Sequence, residues 1–249
     1  MPEGHDLQAL CDAGQRALLV TDYLAAEALL EQAESLAWNA RDWDTLSRLY
    51  MPLQEARRQR RQRCGEGTIK LDLLAITEPP LPTAQEIVDR YPHGQLLVAG
   101  LGTIQPAIDV RRIARERSLF VETFLAATYP MGESFVVVIV PTADVALPPA
   151  DGRSLDRLLA TLPPFTRVIA EADVIRGERV GTDATYAQTM AIWEQLHAPF
   201  LANAEATTDP VRKMAEYRRV IEVDYASELA HQQLSKTAHQ LARRNSRSS

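Results

Sequence analysis

The stretch Trp43-Asp44-Thr45-Leu46-Ser47-Arg48-Leu49-Tyr50 constrains the fold more than any other part of the chain. On a helix, Trp43, Leu46 and Tyr50 stand at i, i+3 and i+7 and so face one way. Ser47, beside Leu46, is small enough to let a second helix approach closely at that height. The flanking sequence supplies neighbours for it. From about 6 to 20, Leu7, Leu10, Cys11, Ala17 and Leu18 form a helical stripe. Thr21-Asp22 reads as a break, with Asp22 placed to cap a helix from Tyr23 to Ala40 that carries Ala26, Leu30, Ala33 and Ala37 on one face. Asp42 or Asp44 then caps the helix of Trp43, Leu46, Leu49, Tyr50 and Leu53. Pro52 should kink that helix, because it lacks a backbone donor and crowds the preceding turn. Gly65 and Gly67 close it.

Trp43, Leu46, Ser47 and Tyr50 fit W-x-x-L-[small]-x-x-Y, the first-helix pattern that resembles a tetratricopeptide repeat. Leu10, Ala13, Gly14 and Ala17, followed by Ala26, Leu30 and Ala33, are similar to the large and small positions of one full repeat. The far end echoes this. Asp209-Pro210 starts a helix well, Tyr217, Val220, Ile221 and Asp224-Tyr225 resemble the end of a repeat, and Ala230, Leu234, Ser235 and Ala238 resemble the start of the next. Trp38 and Tyr225 stand where proline is usual, so the resemblance implies short helical hairpins rather than a regular array. It covers residues about 7–53 and 210–242, and it implies a scaffold with a protein or peptide partner.

Between these ends the pattern changes. Strands are expected at Thr68–Ala75, Leu96–Ala99, Leu119–Thr128, Ser134–Val140 and Arg167–Ile175, and helices at about 83–90, Ile104–Arg117 and Ser154–Leu162. Pro79-Pro80-Leu81-Pro82 breaks the first strand from the first of these helices, and Tyr129-Pro130-Met131-Gly132-Glu133 reads as a turn. From Leu96 onward the order is strand, helix, strand, strand, helix, strand, which matches a ferredoxin-like split unit. With the strand at 68–75 counted in, a small mixed sheet with one extra strand fits equally. The fold class is therefore mixed α/β, with helical hairpins flanking a central sheet. The expected boundaries are a helical segment at 1–66, a sheet domain at 67–182, and helices at 183–249 with a disordered tail from about 243.

The chain's 249 residues suffice for one large or two modest domains. A hydrophobic fraction of 46% with 24% charged residues is that of an ordinary globular protein. The net charge of −6 argues against a general nucleic-acid or anionic-membrane binder. The longest purely apolar run, Phe135 to Val140, falls far short of the ~20 residues a membrane-spanning helix needs. The start, Met1-Pro2-Glu3-Gly4-His5-Asp6, carries no signal-like pattern. Cys11 and Cys64 form neither a disulfide framework nor zinc spacing, so a reduced, cytoplasmic setting is expected.

Three features invite chemistry. Gly100-Leu101-Gly102-Thr103 lies between an expected strand and helix, where backbone N–H groups can hold a phosphate. The third glycine of a dinucleotide fingerprint is absent, since Gln105 and Pro106 occupy that region, and no lysine completes a P-loop. The sequence therefore favours a tight turn that needs flexible backbone. Arg57, Arg58, Arg60, Arg61 and Arg63 form a dense run that is either an anion site or a solvated helix end stabilised by the helix dipole. With few aromatic residues interleaved and an acidic chain overall, the solvated end is favoured. Cys64 follows that run, but no histidine neighbours it. His5, His93, His197, His231 and His239 show no metal spacing, and Glu171 and Asp173 alternate onto one sheet face. No G-x-S-x-G, H-E-x-x-H or C-x-x-C occurs.

The sequence thus leaves the catalytic residues unknown and implies no metal or cofactor. It points first to an interaction or scaffold protein, with homo-oligomerisation open. The second reading is a phosphate- or nucleotide-binding, or enzymatic, α/β domain using Gly100, Gly102 and Thr103.

Overall fold

The computed structural model describes residues 3–76, 81–152 and 154–248. Pro79 and Pro80 of the expected break, Met1 and Pro2 of the start, and Ser249 of the expected tail lie outside these residues. The elements run α1 (Glu3–Leu19), α2 (Tyr23–Ala40), α3 (Trp43–Glu66), β1 (Thr68–Leu74), α4 (Ala84–Arg90), β2 (Gly94–Leu101), α5 (Gln105–Glu116), β3 (Val121–Met131), β4 (Ser134–Ile139), α6 (Leu155–Leu159), β5 (Arg167–Ala170), a single 3₁₀ turn (Glu171–Asp173), β6 (Glu178–Val180), α7 (Asp183–Ala206), α8 (Pro210–Val223) and α9 (Glu228–Ser248). The fold is mixed α/β, with a six-stranded sheet in the middle of the chain and helices at both ends.

The chain divides into two compact units, one of residues Met1–Arg61 with His197–Ser249, the other of Gln62–Leu196, and the division falls within α3 and α7. In the first unit the helix starts follow from local chemistry. Asp22 accepts the Ala25 N–H at 3.2 Å, Asp42 accepts the Thr45 N–H at 3.0 Å, and Asp209 accepts the Arg212 N–H at 2.8 Å. Asp42, not Asp44, is therefore the cap of α3. Residues from both ends of the chain share one core, in which Leu30, Leu46, Tyr50, Leu53, Tyr217 and Leu234 are buried. Small residues set the helix spacing. A Cβ added to Gly14 of α1 would stand 2.6 Å from Leu30 Cγ of α2, so any larger residue there would have to displace the Leu30 side chain. α3 is one continuous helix through Pro52. α9 continues through Ser248, where a disordered tail from about 243 was expected. Leu241 is buried and Ala242 packs on the same core, so the last turns grow from an anchored helix that no glycine or proline interrupts.

The second unit is built on the sheet, in the order β5-β4-β3-β2-β1-β6. β1, β2 and β3 are parallel and adjacent, while β4 and β5 continue antiparallel and β6 pairs antiparallel with β1. The ferredoxin-like order is therefore wrong. A split unit places another strand between the parallel partners, whereas here β2 and β3, joined by α5, pair directly from Gly94↔Val121 to Leu101↔Thr128. A mixed sheet forms, with β1 as the extra strand expected and β6 as a further one that was not. Tyr129, Pro130 and Met131, expected in a turn, belong to β3, and only Gly132 and Glu133 turn the chain. Pro130 is tolerated because the pairing with β2 stops at Thr128, so its missing N–H costs no bond on that side. Strand alternation sorts the side chains. Leu96, Val98, Leu125, Ala127, Val136 and Val138 share a core with α4 and α5. On the other face Phe124 meets Trp193 of α7, with ring centroids 4.5 Å apart.

Candidate functional site

The Gly100–Thr103 turn lies between β2 and α5 as expected, and its own backbone fills it. Gly102 has φ +63°. A Cβ on Gly100 would stand 2.7 Å from the Thr103 carbonyl oxygen and 2.9 Å from Pro106 Cγ; one on Gly102 would stand 3.0 Å from Ala150 Cβ. Close approach and positive φ thus account for both glycines. The N–H of Gly102 donates to the Thr128 carbonyl at 3.0 Å, that of Thr103 to the Gly100 carbonyl at 3.5 Å, and that of Gln105 to Thr103 Oγ1 at 3.1 Å. Pro106 has no N–H to offer. A phosphate at this helix start would find its usual donors already bonded.

The arginine run is not a solvated helix end. Arg57 and Arg61 are buried, and the run occupies the last turns of α3. The carboxylates that match it come from other helices. Arg57 Nη2 donates to Glu31 at 2.9 Å, Arg60 Nη1 to both Glu27 oxygens at 3.0 Å, and Arg61 Nη2 to Asp224 Oδ1 at 2.9 Å. Arg60 and Arg61 also lie over the Tyr225 ring at 4.4 and 4.7 Å. Arg58 pairs with Glu55 and Arg63 with Glu66 on the same helix. Three inward guanidinium groups therefore face three carboxylates from α2 and the end of α8, which leaves little positive charge over for an external anion.

Two histidines that the sequence left unassigned complete this network. His231 is fully buried, with Nδ1 against the Ser227 carbonyl at 2.7 Å and Nε2 against Arg57 Nη1 at 3.1 Å. Arginine only donates, so Nε2 must accept and the proton sits on Nδ1, which makes the ring neutral. Burial, helped by the charge of Arg57, lowers its pKa to about 3. His197 Nδ1 donates to Asp224 Oδ2 at 2.7 Å. Burial pushes the Asp224 carboxyl up, but Arg61 and the His197 hydrogen bond together push it down further, to about 2. An aspartate orienting a histidine makes up two of the three members of a hydrolytic triad. Here His197 makes no other hydrogen bond among the described residues, so no nucleophile is in place. Tyr50 belongs to the same interior, donating to Glu34 at 3.0 Å, and burial followed by the Glu34 charge raises its pKa well above the usual tyrosine value.

The other sequence candidates disperse. Cys64 is completely buried, and His93 bonds the Arg63 carbonyl at 2.6 Å. Glu171 and Asp173 do not alternate on a strand, because β5 ends at Ala170 and they form the 3₁₀ turn. No cluster of histidine, cysteine, aspartate and glutamate fit for a metal occurs among the described residues, and no helix among them is long and apolar enough to cross a membrane.

One concave site lies elsewhere. In the sheet unit a cavity of about 230 Å³ opens between the α7 face of the sheet and α7 itself. Leu71, Leu97, Val137 and Ile169 form its floor, and Gln188, Ala191 and Ile192 of α7 form its cover, with Arg167 of β5 and Asp173 also in its wall. None of the residues in the Gly100–Thr103 turn lines it. Arg167 was missed because a lone arginine at a strand start carries no motif. No family model matches the chain, and comparisons with curated proteins and with solved structures find no match.

Proposed function

We propose that the chain is a protein-binding module whose helical unit is built on tetratricopeptide-like hairpins, acting in a reducing, cytoplasmic setting. The observation that carries this reading is the interlocking of large and small residues in the helical core. Gly14 lies against Leu30, and the fully buried Ala33, Ala37, Ala230 and Ala238 share that core with Leu46, Tyr50 and Leu234. Hairpins of this construction resemble scaffolds that hold a peptide or protein on an outer face. Leu19 and Val20, 83% and 72% exposed at the α1–α2 turn, offer apolar side chains for such contact. Cys11 is a free, buried thiol, in keeping with a reducing compartment.

The test is affinity capture with the full chain and with a Leu19→Glu/Val20→Glu variant, alongside light scattering for self-association. A stoichiometric partner, or a second copy of the chain, held by the wild type and lost by the variant supports the reading. A monomeric chain that captures the same proteins as its variant sinks it.

A further inference from the structure

We propose that the cavity beneath α7 is a binding site for a small apolar monocarboxylate, with Arg167 as the residue that receives its carboxylate. The inference concerns the sheet unit alone and does not depend on what the helical unit binds. Its first support is shape. The volume of about 230 Å³ falls below the ~300–1,000 Å³ range of drug-sized pockets, so the occupant is small. The floor of leucine, valine and isoleucine is apolar, and Leu71, Leu97 and Val137 are buried there. An aliphatic or phenyl group gains from leaving water at this surface in proportion to the area it covers.

The second support is charge. Arg167 Nη1 is buried without a hydrogen-bond partner among the described residues, and no carboxylate among them pairs with the side chain. The inward arginines of the helical unit behave differently, each meeting a glutamate or aspartate. Arg167 as a whole is half-buried, but a guanidinium nitrogen shut off from water without a partner is costly, and a carboxylate accepts from the planar fork on two oxygens at once. The exposed wall residues, Asp173, Gln188 and Ala191, mark the mouth. Asp173 there repels a second negative charge, which favours a monoanion over a phosphate ester. Gln188 adds a neutral amide at the rim.

The experiment titrates full-length protein with octanoate and, separately, with octanol, which keeps the chain but lacks the charge. Calorimetry and the shift of the thermal midpoint are the readouts. Octanoate is expected to bind one site and raise the midpoint, with octanol weaker by about tenfold or more, as expected for loss of a charge-assisted hydrogen bond. Arg167→Gln should weaken octanoate by a similar factor and leave octanol unchanged. Ala191→Phe, which fills the cavity from α7, should abolish both, with circular dichroism confirming that each variant is folded. The proposal is overturned if neither probe binds at millimolar concentration, if the two bind equally, or if octanoate binds Arg167→Gln as tightly as wild type.

Discussion

Asp224 receives three donors on one carboxylate: Arg61 Nη2 at 2.9 Å, His197 Nδ1 at 2.7 Å and the Ala226 N–H at 3.2 Å. With both Arg61 and Asp224 almost wholly buried, the pair matters less for its own strength than for what its loss leaves behind. A buried ion pair roughly balances its desolvation cost, but an orphaned member does not. Asp224→Asn keeps the shape of the side chain and removes the charge, so it should lower unfolding stability by about 3 kcal/mol at pH 7. Urea unfolding followed by circular dichroism measures this, and a change under about 1 kcal/mol would show that Arg61 finds compensation elsewhere. At this scale the sequence was legible only in part. The arginine run displayed its own charges, but its partners Glu27, Glu31 and Asp224 lie 33, 26 and 163 positions away from Arg60, Arg57 and Arg61. A dense run of one sign therefore read as solvated. The carboxylates at positions 27, 31 and 34 of α2, one helical face, were the available signal that an arginine-bearing helix packs beside them.

Elements were read more successfully than residues, because periodicity is a local property. The helices α1, α2, α3 and the start of α8, and the strands β1 and β4, emerged close to their observed limits, set by apolar spacing and by caps such as Asp22 and Asp209. What failed depended on partners distant in sequence. β6 has only three residues, all exposed, and becomes a strand solely by pairing with Thr68–Lys70 of β1. The strand order likewise follows from which edges meet, a choice that the order of elements along the chain left open. α3 offers a test of local against tertiary control. It stays helical through Pro52, although proline in a helix interior removes a bond to the preceding turn and crowds it. The packing of Leu46, Leu49, Tyr50 and Leu53 on the helical core outweighs that cost. Pro52→Ala should therefore restore the bond and raise stability by about 1 kcal/mol or more, partly offset by the freer unfolded chain. A thermal midpoint that falls instead would mean that the half-buried proline ring contributes packing that alanine lacks.

For the whole molecule, the buried histidine and aspartate make stability depend on pH in two separable windows. His231 has a pKa of about 3 in the native state against its ordinary 6.5. Between those values the unfolded chain binds a proton that the folded chain refuses, so stability present above pH 6.5 is lost as the pH falls toward 3. The slope is at most about 1.4 kcal/mol per pH unit. Asp224, at about 2 against 3.8, contributes stability that is full above 3.8 and lost only as the pH falls through 2. Of these two groups, His231 alone therefore governs the arm from pH 6.5 to 4.5, where roughly 2–3 kcal/mol should disappear. Urea unfolding at pH 7, 5.5 and 4.5 should trace that loss, and His231→Gln should flatten it whatever it does to stability at pH 7. The slope, rather than the absolute stability, is the diagnostic quantity, since the substitution also removes the bonds to Ser227 and Arg57. Equal slopes in the two proteins would mean that protonation of some other group drives the acid response and that the interior admits a charged imidazole beside Arg57.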